Sequence, residues 1–425
     1  MSGKRIIVFS ICLISSLFFI RCSTSKPTTT SYSSTKKISI AKDDDLNAQF
    51  YLYKNTDTAA TLFFMLNTEQ LLYARLDTGL QFYASVKLTL RLYSASDNAL
   101  LDSVSQTYYI NKNSTTFFNY LNTRISDNDY NVQILITDLH RKTVFKYFTE
   151  IKLNNNNTRN NFLITLNDKL LFKPYAIEGN KIKIYHRKKY PILYVDVFNY
   201  NHSPAPPPFS NITKSIQYLP DSSFSITLLD SGYYQIQLQP YKYYHIRPNQ
   251  SIIDGLTIFS IDSIFPNIKD AREMLYTSRY IMNKNEFERC NSLSNISDIK
   301  KCVDNFWIQI AGSKERAKEI IKNYYQRVID ANKLFTSYQY GWQTDRGMIY
   351  IIFGHPEDIQ KFQNIEKWYY SINGQKNALV FNFYKNKNNP FTSSDYILER
   401  SDYYKDIWYI VVDKIRQGRL STSGR

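Results

Sequence analysis

The chain has 425 residues, 43% hydrophobic and 16% aromatic with 21% charged and 13 prolines, a balance that excludes wholesale disorder and collagen-like repeats. At roughly 100 to 200 residues per domain, this length predicts about two to four domains, each able to bury its own core. Lys+Arg 53 against Asp+Glu 37 gives a net charge of +16, which favours anionic partners in general, although the abundance of Asn, Lys, Ile and Tyr also fits a coding bias.

Lys4 and Arg5 precede an apolar run from Ile6 to Ile20, followed by Arg21-Cys22 and a polar stretch, which is the layout of a secretion signal. The run falls short of the roughly 20 residues that a membrane-spanning helix needs. A cysteine at the end of such a core, followed by small hydroxylated residues, resembles a bacterial lipoprotein signal in which Cys22 is lipidated and becomes the first mature residue. Arg21 departs from the small residue usual before that cysteine, so an ordinary cleaved signal is the alternative. The lipoprotein resemblance makes residues 1–22 a signal and residues 23–45, rich in Ser, Thr and Lys, a flexible tether. No acidic run of the kind that marks surface export in Bacteroidetes-type lipoproteins follows Cys22. The resemblance therefore implies an outer-membrane anchor with the body facing the periplasm.

From 46 to 155 the apolar residues alternate. Val86, Leu88, Leu90 and Leu92 interleave with Lys87, Thr89 and Arg91, and Val132, Ile134 and Ile136 with Gln133, so each stretch is a half-buried antiparallel strand. Turn signals at Ser96-Asp97-Asn98 and Ser126–Asp129 fit a β-sandwich. The polar run Asn154–Asn161 reads as a linker. A second strand-rich unit spans 162–262, where Phe224, Ile226 and Leu228 are followed by Asp230-Ser231-Gly232 and then Tyr234, Ile236 and Leu238, which predicts a hairpin. Pro204-Ala205-Pro206-Pro207-Pro208 cannot donate ladder hydrogen bonds and predicts a rigid loop, with a docking peptide as the alternative. Lys181, Lys183, Arg187, Lys188 and Lys189 predict a solvated strand face, or a contact with anionic lipid heads or glycan phosphates.

After Pro266 the period changes to three and four: Ala317, Ile320, Ile321, Tyr324, Val328, Ala331 and Phe335 predict an amphipathic helix over about 313–337, stopped by Gly341 in a left-handed conformation. Gly341, Gly347 and Gly354 fall close together in a glycine-poor chain, which implies backbone positions needing positive φ or close approach. Trp342 is expected beneath the turn, Thr344 and Asp345 as acceptors of backbone N–H groups, Met348–Phe353 as a buried strand, and Gly354-His355-Pro356 as its end. Asn373-Gly374 predicts a hairpin between a strand through Trp368, Tyr370 and Ile372 and one over Ala378–Tyr384; Tyr396–Leu398 is another strand, and 407–415 a closing helix or strand. The chain thus reads as two antiparallel β-sandwich (Ig-like) modules followed by an α+β domain with a long amphipathic helix and a small sheet.

Gly341, Trp342, Thr344 and Asp345 spell the signature of the GWxTD domain, which this segment resembles, with Tyr280, Glu286, Trp307, Tyr325, Arg327, Ala331-Asn332, Phe335, Gly354, Pro356, Trp368 and Tyr370 in supporting positions over 265–425. That family occurs in secreted or lipid-anchored bacterial proteins, notably from Bacteroidetes, and the resemblance implies a domain without implying an activity.

Cys290 and Cys302 are the one cysteine pair of the mature body, either joined in an oxidising periplasm or free on neighbouring helices. No second pair or histidine cluster exists to complete a zinc site, and no HExxH, GxSxG, Walker loop or dinucleotide fingerprint occurs, so no cofactor is expected. A proton relay from Asp345 to His355 would need convergent loops, and six strand residues hold them about 20 Å apart. Asp345 is instead expected to cap a turn and pair with Arg346 or Arg327. The expected function is a non-catalytic, lipid-anchored envelope protein with a protein partner, contacting the membrane through its anchor and not nucleic acid; the alternative is a glycan- or peptidoglycan-acting enzyme or binder using the Asp345 loop.

Overall fold

A computed structural model describes residues 46–419 apart from 76–80, 114, 127–128, 153–155, 201–202, 213–215, 217, 363 and 373. The signal and tether expected over 1–45, Cys22 included, lie outside the described residues. No helix among the described residues is long and apolar enough to cross a membrane. The fold is rich in strands, with several antiparallel sheets and six helices among those residues.

The first unit contains β1 (Gln49–Lys54), β2 (Ala59–Asn67), β3 (Ala74–Arg75), β4 (Phe82–Ser94), β5 (Leu100–Asn111), β6 (Thr116–Arg124), β7 (Tyr130–Asp138) and β8 (Thr143–Ile151). β1-β2-β6 form one sheet; β4, β7 and β8 form the other, with β5 and the short β3 also paired to β4. The alternation in β4 is what closes this sandwich. Val86, Leu88, Leu90 and Leu92 are at most 1% exposed and share one core with Leu62 and Phe64 of the opposite sheet.

The second unit holds β9 (Phe162–Leu166), β10 (Lys169–Leu170), β11 (Tyr175–Ile177), β12 (Lys181–His186), β13 (Ile192–Asn199), β14 (Ser222–Thr227), β15 (Tyr234–Gln237), β16 (Lys242–Arg247) and β17 (Leu256–Ile261). Its sheets are ordered β10-β9-β12-β15 and β11-β17-β16-β13-β14, and β11 joins β17 in parallel, a departure from the all-antiparallel expectation. The expected hairpin is also corrected. A tight turn does form at Leu229–Tyr233, but β14 pairs with β13 and β15 with β12, so the two strands enter opposite sheets. Alternation records which face of a strand is buried and says nothing of its ladder partner.

The polar run before β9 is not a free linker either. Residues 159–161 form a 3-10 turn with Asn161 fully buried, its Oδ1 accepting from Arg187 Nε at 2.9 Å, while Asn160 donates to the Leu52 carbonyl at 3.0 Å. Amide side chains bury readily once their hydrogen bonds are met. Arg187 thereby leaves the solvated basic face: it also pairs with Asp57 at 2.8 Å, across to the first sandwich. Lys183, by contrast, stays at the surface beside Asp168.

The third unit comprises α1 (Ala271–Ser278), α2 (Lys284–Asn291), α3 (Ile296–Ala311), α4 (Lys314–Phe335), α5 (Asp345–Phe353), β18 (Asp358–Lys361), β19 (Ile365–Ile372), β20 (Gln375–Lys385), β21 (Tyr396–Leu398) and α6 (Tyr404–Arg416). Ser313 caps α4, accepting from Arg316 N–H at 3.2 Å, and Ala317, Ile320, Tyr324, Val328 and Ala331 bury its apolar face. β18-β19-β20-β21 form an antiparallel sheet whose Trp368, Phe381 and Phe383 join the same core. Cys290 of α2 and Cys302 of α3 are disulfide-bonded.

Met348–Phe353 is helical, correcting the expected strand. A short apolar run is equally compatible with a helix buried on all sides, and Met348, Ile349, Ile351 and Ile352 are each at most 1% exposed.

Candidate functional site

The signature residues form a buried corner between α4 and α5. α4 ends at Phe335 and the chain turns back on it, so that Gly341 lies against the helix. A Cβ built on Gly341 would sit 2.0 Å from the Ala331 carbonyl oxygen, which makes close approach, and not the expected left-handed stop, the reason for glycine. Gly341 N–H donates to Thr336 Oγ1 at 2.8 Å and Trp342 N–H to Asn332 Oδ1 at 3.2 Å. Gly341–Gln343 then makes one 3-10 turn, burying the Trp342 ring edge-on to Tyr280.

Thr344 is the N-cap of α5. Its hydroxyl oxygen accepts from Gly347 N–H at 3.0 Å and its O–H donates to the Gly341 carbonyl at 2.7 Å. Gly347 is required for the same reason as Gly341, since its Cβ would stand 1.9 Å from the Gly341 oxygen. At the other end of α5, Gly354 adopts φ +80°, and Arg327 of α4 donates to the Ile351 and Ile352 carbonyls at 3.1 and 3.0 Å. A cation on the last carbonyls of a helix both caps them and opposes the helix dipole. Pro356 is buried beyond it, its carbonyl accepting from His355 Nδ1 at 2.6 Å.

Asp345 opens α5 and is 9% exposed. Its partner is Arg400, neither Arg346 nor Arg327. Arg400 Nη2 lies 2.6 Å from Oδ1 and Nη1 3.2 Å from Oδ2, which also accepts Leu398 N–H at 2.8 Å. The carboxylate therefore ties the first turn of α5 to β21. Arg400 reaches one step further, donating to the Pro206 carbonyl at 3.3 Å, and Ser401 N–H donates to the Pro208 carbonyl at 3.0 Å. The proline-rich loop is thus docked on the chain's own third unit, with Ala205 in that core and Phe209 against Trp408.

Chemically the corner is closed. Tyr280 donates to the Trp342 carbonyl at 3.0 Å, and burial first and the nearby Asp345 second push its hydroxyl far up, so it stays protonated. His355 lies beyond the far end of α5. Nine helical residues at 1.5 Å each separate it from Asp345 by roughly 15 Å, less than a strand would give and still too far for proton transfer. Glu357 accepts from Ser371 at 2.5 Å and turns away from the corner. Among the described residues no group of three or more His, Cys, Asp or Glu is placed to hold a metal.

Arg400, Leu398 and the Pro206 carbonyl escaped sequence reading. They lie 53 to 139 positions from Asp345 in the chain, and no local spacing rule links them. Asn332 and Tyr280 were in view only as residues accompanying the signature.

A separate cleft of about 440 Å³ opens where the three units meet, bordered by Tyr51 and Glu150 of the first, Arg159 and Asp254 of the second, and Lys385 and Phe391 of the third. Glu150 and Lys385 pair across it at 2.6 Å. None of the signature residues borders it.

Residues 242–417, which contain this corner, match the model of the GWxTD domain. The chain carries a GWxTD domain. The match begins at β16, earlier than the expected boundary at 265. Tyr243, Phe259 and Ile261 on the outer face of β16 and β17 pack with Tyr338 and Phe391 in one apolar cluster, so these two strands share buried surface with the later part of the match. No curated protein matches the chain. Among solved structures, a calcium-binding mutant of Bacteroides uniformis beta-glucuronidase 2 is similar over 32% of this chain and 14% of its own, with 14% identity and a TM-score of 0.17. The matched part thus spans about a seventh of that enzyme.

Proposed function

We propose that this GWxTD-domain protein is a lipid-anchored, periplasm-facing outer-membrane protein of bacterial, Bacteroidetes-type origin, with a structural or partner-binding role in the cell envelope and no catalysis. The two sandwiches serve as Ig-like display modules carrying the GWxTD domain. One observation carries the non-catalytic reading. The acid of the signature is buried and committed to Arg400 and Leu398 N–H, and through Arg400 it holds a loop of the second sandwich. A general acid or base must reach a proton on its substrate, and this carboxylate is spent on backbone and guanidinium. The alternative, glycan or peptidoglycan chemistry at the Asp345 loop, would require that loop to open.

Crosslinking in intact membranes followed by purification tests the partner-binding role. A stoichiometric envelope protein recovered with the chain is the expected outcome, and release of glycan fragments by the purified chain would overturn it. For the anchor, Cys22→Ser is expected to free the protein from salt-washed membranes; continued retention would count against lipidation.

A further inference from the structure

The first sandwich has two different ends. One, marked by Lys54, Ala95 and Glu150, faces the second sandwich and the cleft. The other gathers Leu46, the loop before β3, the start of β4, Lys112 and the β7–β8 turn. Asn67 N–H donates to the Leu46 carbonyl at 3.1 Å, Thr68 N–H to the Thr115 carbonyl at 3.0 Å and Leu139 N–H to the Ser85 carbonyl at 2.9 Å. Asp138 orders this end. Its carboxylate accepts Leu72, His140 and Arg141 N–H, each at 3.0 Å, so one buried acid fixes the tips of two loops.

Those tips are apolar and cationic at once. Leu72 is 41% exposed, Phe82 42%, Leu139 40% and Val144 47%. Exposed Arg75, Lys112, Arg141 and Lys142 interleave with them, Arg75 lying 4.6 Å from the centre of the Phe82 ring, and among the described residues Glu69 is the exposed acid nearby. Singly exposed apolar residues need no explanation, but a set alternating with cations at one end of a sandwich matches the requirements of a lipid interface: side chains that enter the headgroup layer and charges that meet phosphate.

We propose that this end is a membrane-docking surface that takes anionic phospholipid headgroups and stands the sandwich end-on upon the bilayer holding Cys22. The idea rests on the lipid-anchor reading for the identity of that bilayer. Residues 23–45 reach at most about 80 Å at full extension and deliver the chain to Leu46, within this end and not at the end facing the rest of the molecule. Charge complementarity supplies the rest: a chain of net charge +16 presents four cations where it would meet a negative surface.

The test uses the full chain, purified from membranes and reconstituted into vesicles of phosphatidylcholine alone or with phosphatidylglycerol. Amide hydrogen exchange over 70–75 and 139–142 is expected to slow about tenfold in the anionic vesicles alone. High salt or Arg141→Gln with Lys142→Gln should abolish that protection, whereas Lys188→Gln with Lys189→Gln, equal in charge but on the second sandwich, should leave it intact. Equal exchange in both vesicles, or protection that appears only on adding a peptidoglycan or protein fraction, would overturn the proposal. Flotation of the vesicles in high salt reports the anchor separately. A chain that stays with the pellet there but is protected in anionic vesicles at low salt would remove the anchor and keep the docking surface.

Discussion

Asp345 is held by the Arg400 guanidinium and by Leu398 N–H in a buried site. Removing one member of a buried ion pair strands the other, at a cost of about 3–5 kcal/mol. Asp345→Asn is therefore expected to lower the unfolding free energy by about 3 kcal/mol, read from the urea midpoint, because Asn can still accept Leu398 N–H but leaves Arg400 uncompensated. Adding Arg400→Met should recover part of that loss; a fully additive double variant would show that the two side chains are not coupled. Two buried histidines make the fold sensitive to mild acid. Burial pushes His186 and His245 down to about 4, despite His186 Nε2 donating to the Asn156 carbonyl and His245 Nε2 to that of Ile253. Because the folded state takes up these protons later than the unfolded state does, the stability they support is present above about pH 6.5 and is lost as pH falls toward 4, about 3 kcal/mol at most for each. Urea unfolding between pH 7 and pH 4.5 should show the fall, and His245→Gln should flatten it; an unchanged slope in that variant would place the acid sensitivity elsewhere.

The elements carry a different lesson. β4 was legible residue by residue, because one buried face and one wet face impose a period of two that no partner can disguise. α5 was not, because a helix buried all round has no polar face and so no period to read. Likewise β14 and β15 alternate as a hairpin would, yet the turn at Leu229–Tyr233 carries the chain from one sheet to the other. α2 and α3 are joined covalently. A cross-link closing a loop of this size restricts the unfolded chain by about 3 kcal/mol, so Cys290→Ser with Cys302→Ser should reduce stability by about that amount. Denaturant unfolding of the double variant against the oxidised parent measures it, and an equal midpoint would mean that the bond constrains little.

For the whole molecule, the contacts between units matter most. Phe391 lies within about 5 Å of Phe198, Tyr243 and His245, ring centre to ring centre, so the hairpin arm of the GWxTD domain rests on the second sandwich. These two units are expected to unfold together. Phe391→Ala should cost about 3–5 kcal/mol and split one calorimetric transition into two, whereas a single transition in both proteins would show that the cluster does not couple them. The GWxTD match, which starts at β16, takes in the sheet side of this shared cluster.

By itself the sequence determined what depends on neighbours in the chain: alternating strands, the α4 periodicity, the GWxTD signature and the glycine requirement within it. Local sterics and hydrophobic spacing act over a few residues, so they leave their mark in a few residues. Only the tertiary structure decided that Asp345 meets Arg400, that Gly341 is pressed against Ala331, and that the proline loop docks on Arg400. Such pairings are chosen by how whole faces pack, and the free energy that selects them is spread over a core to which no single segment holds the key.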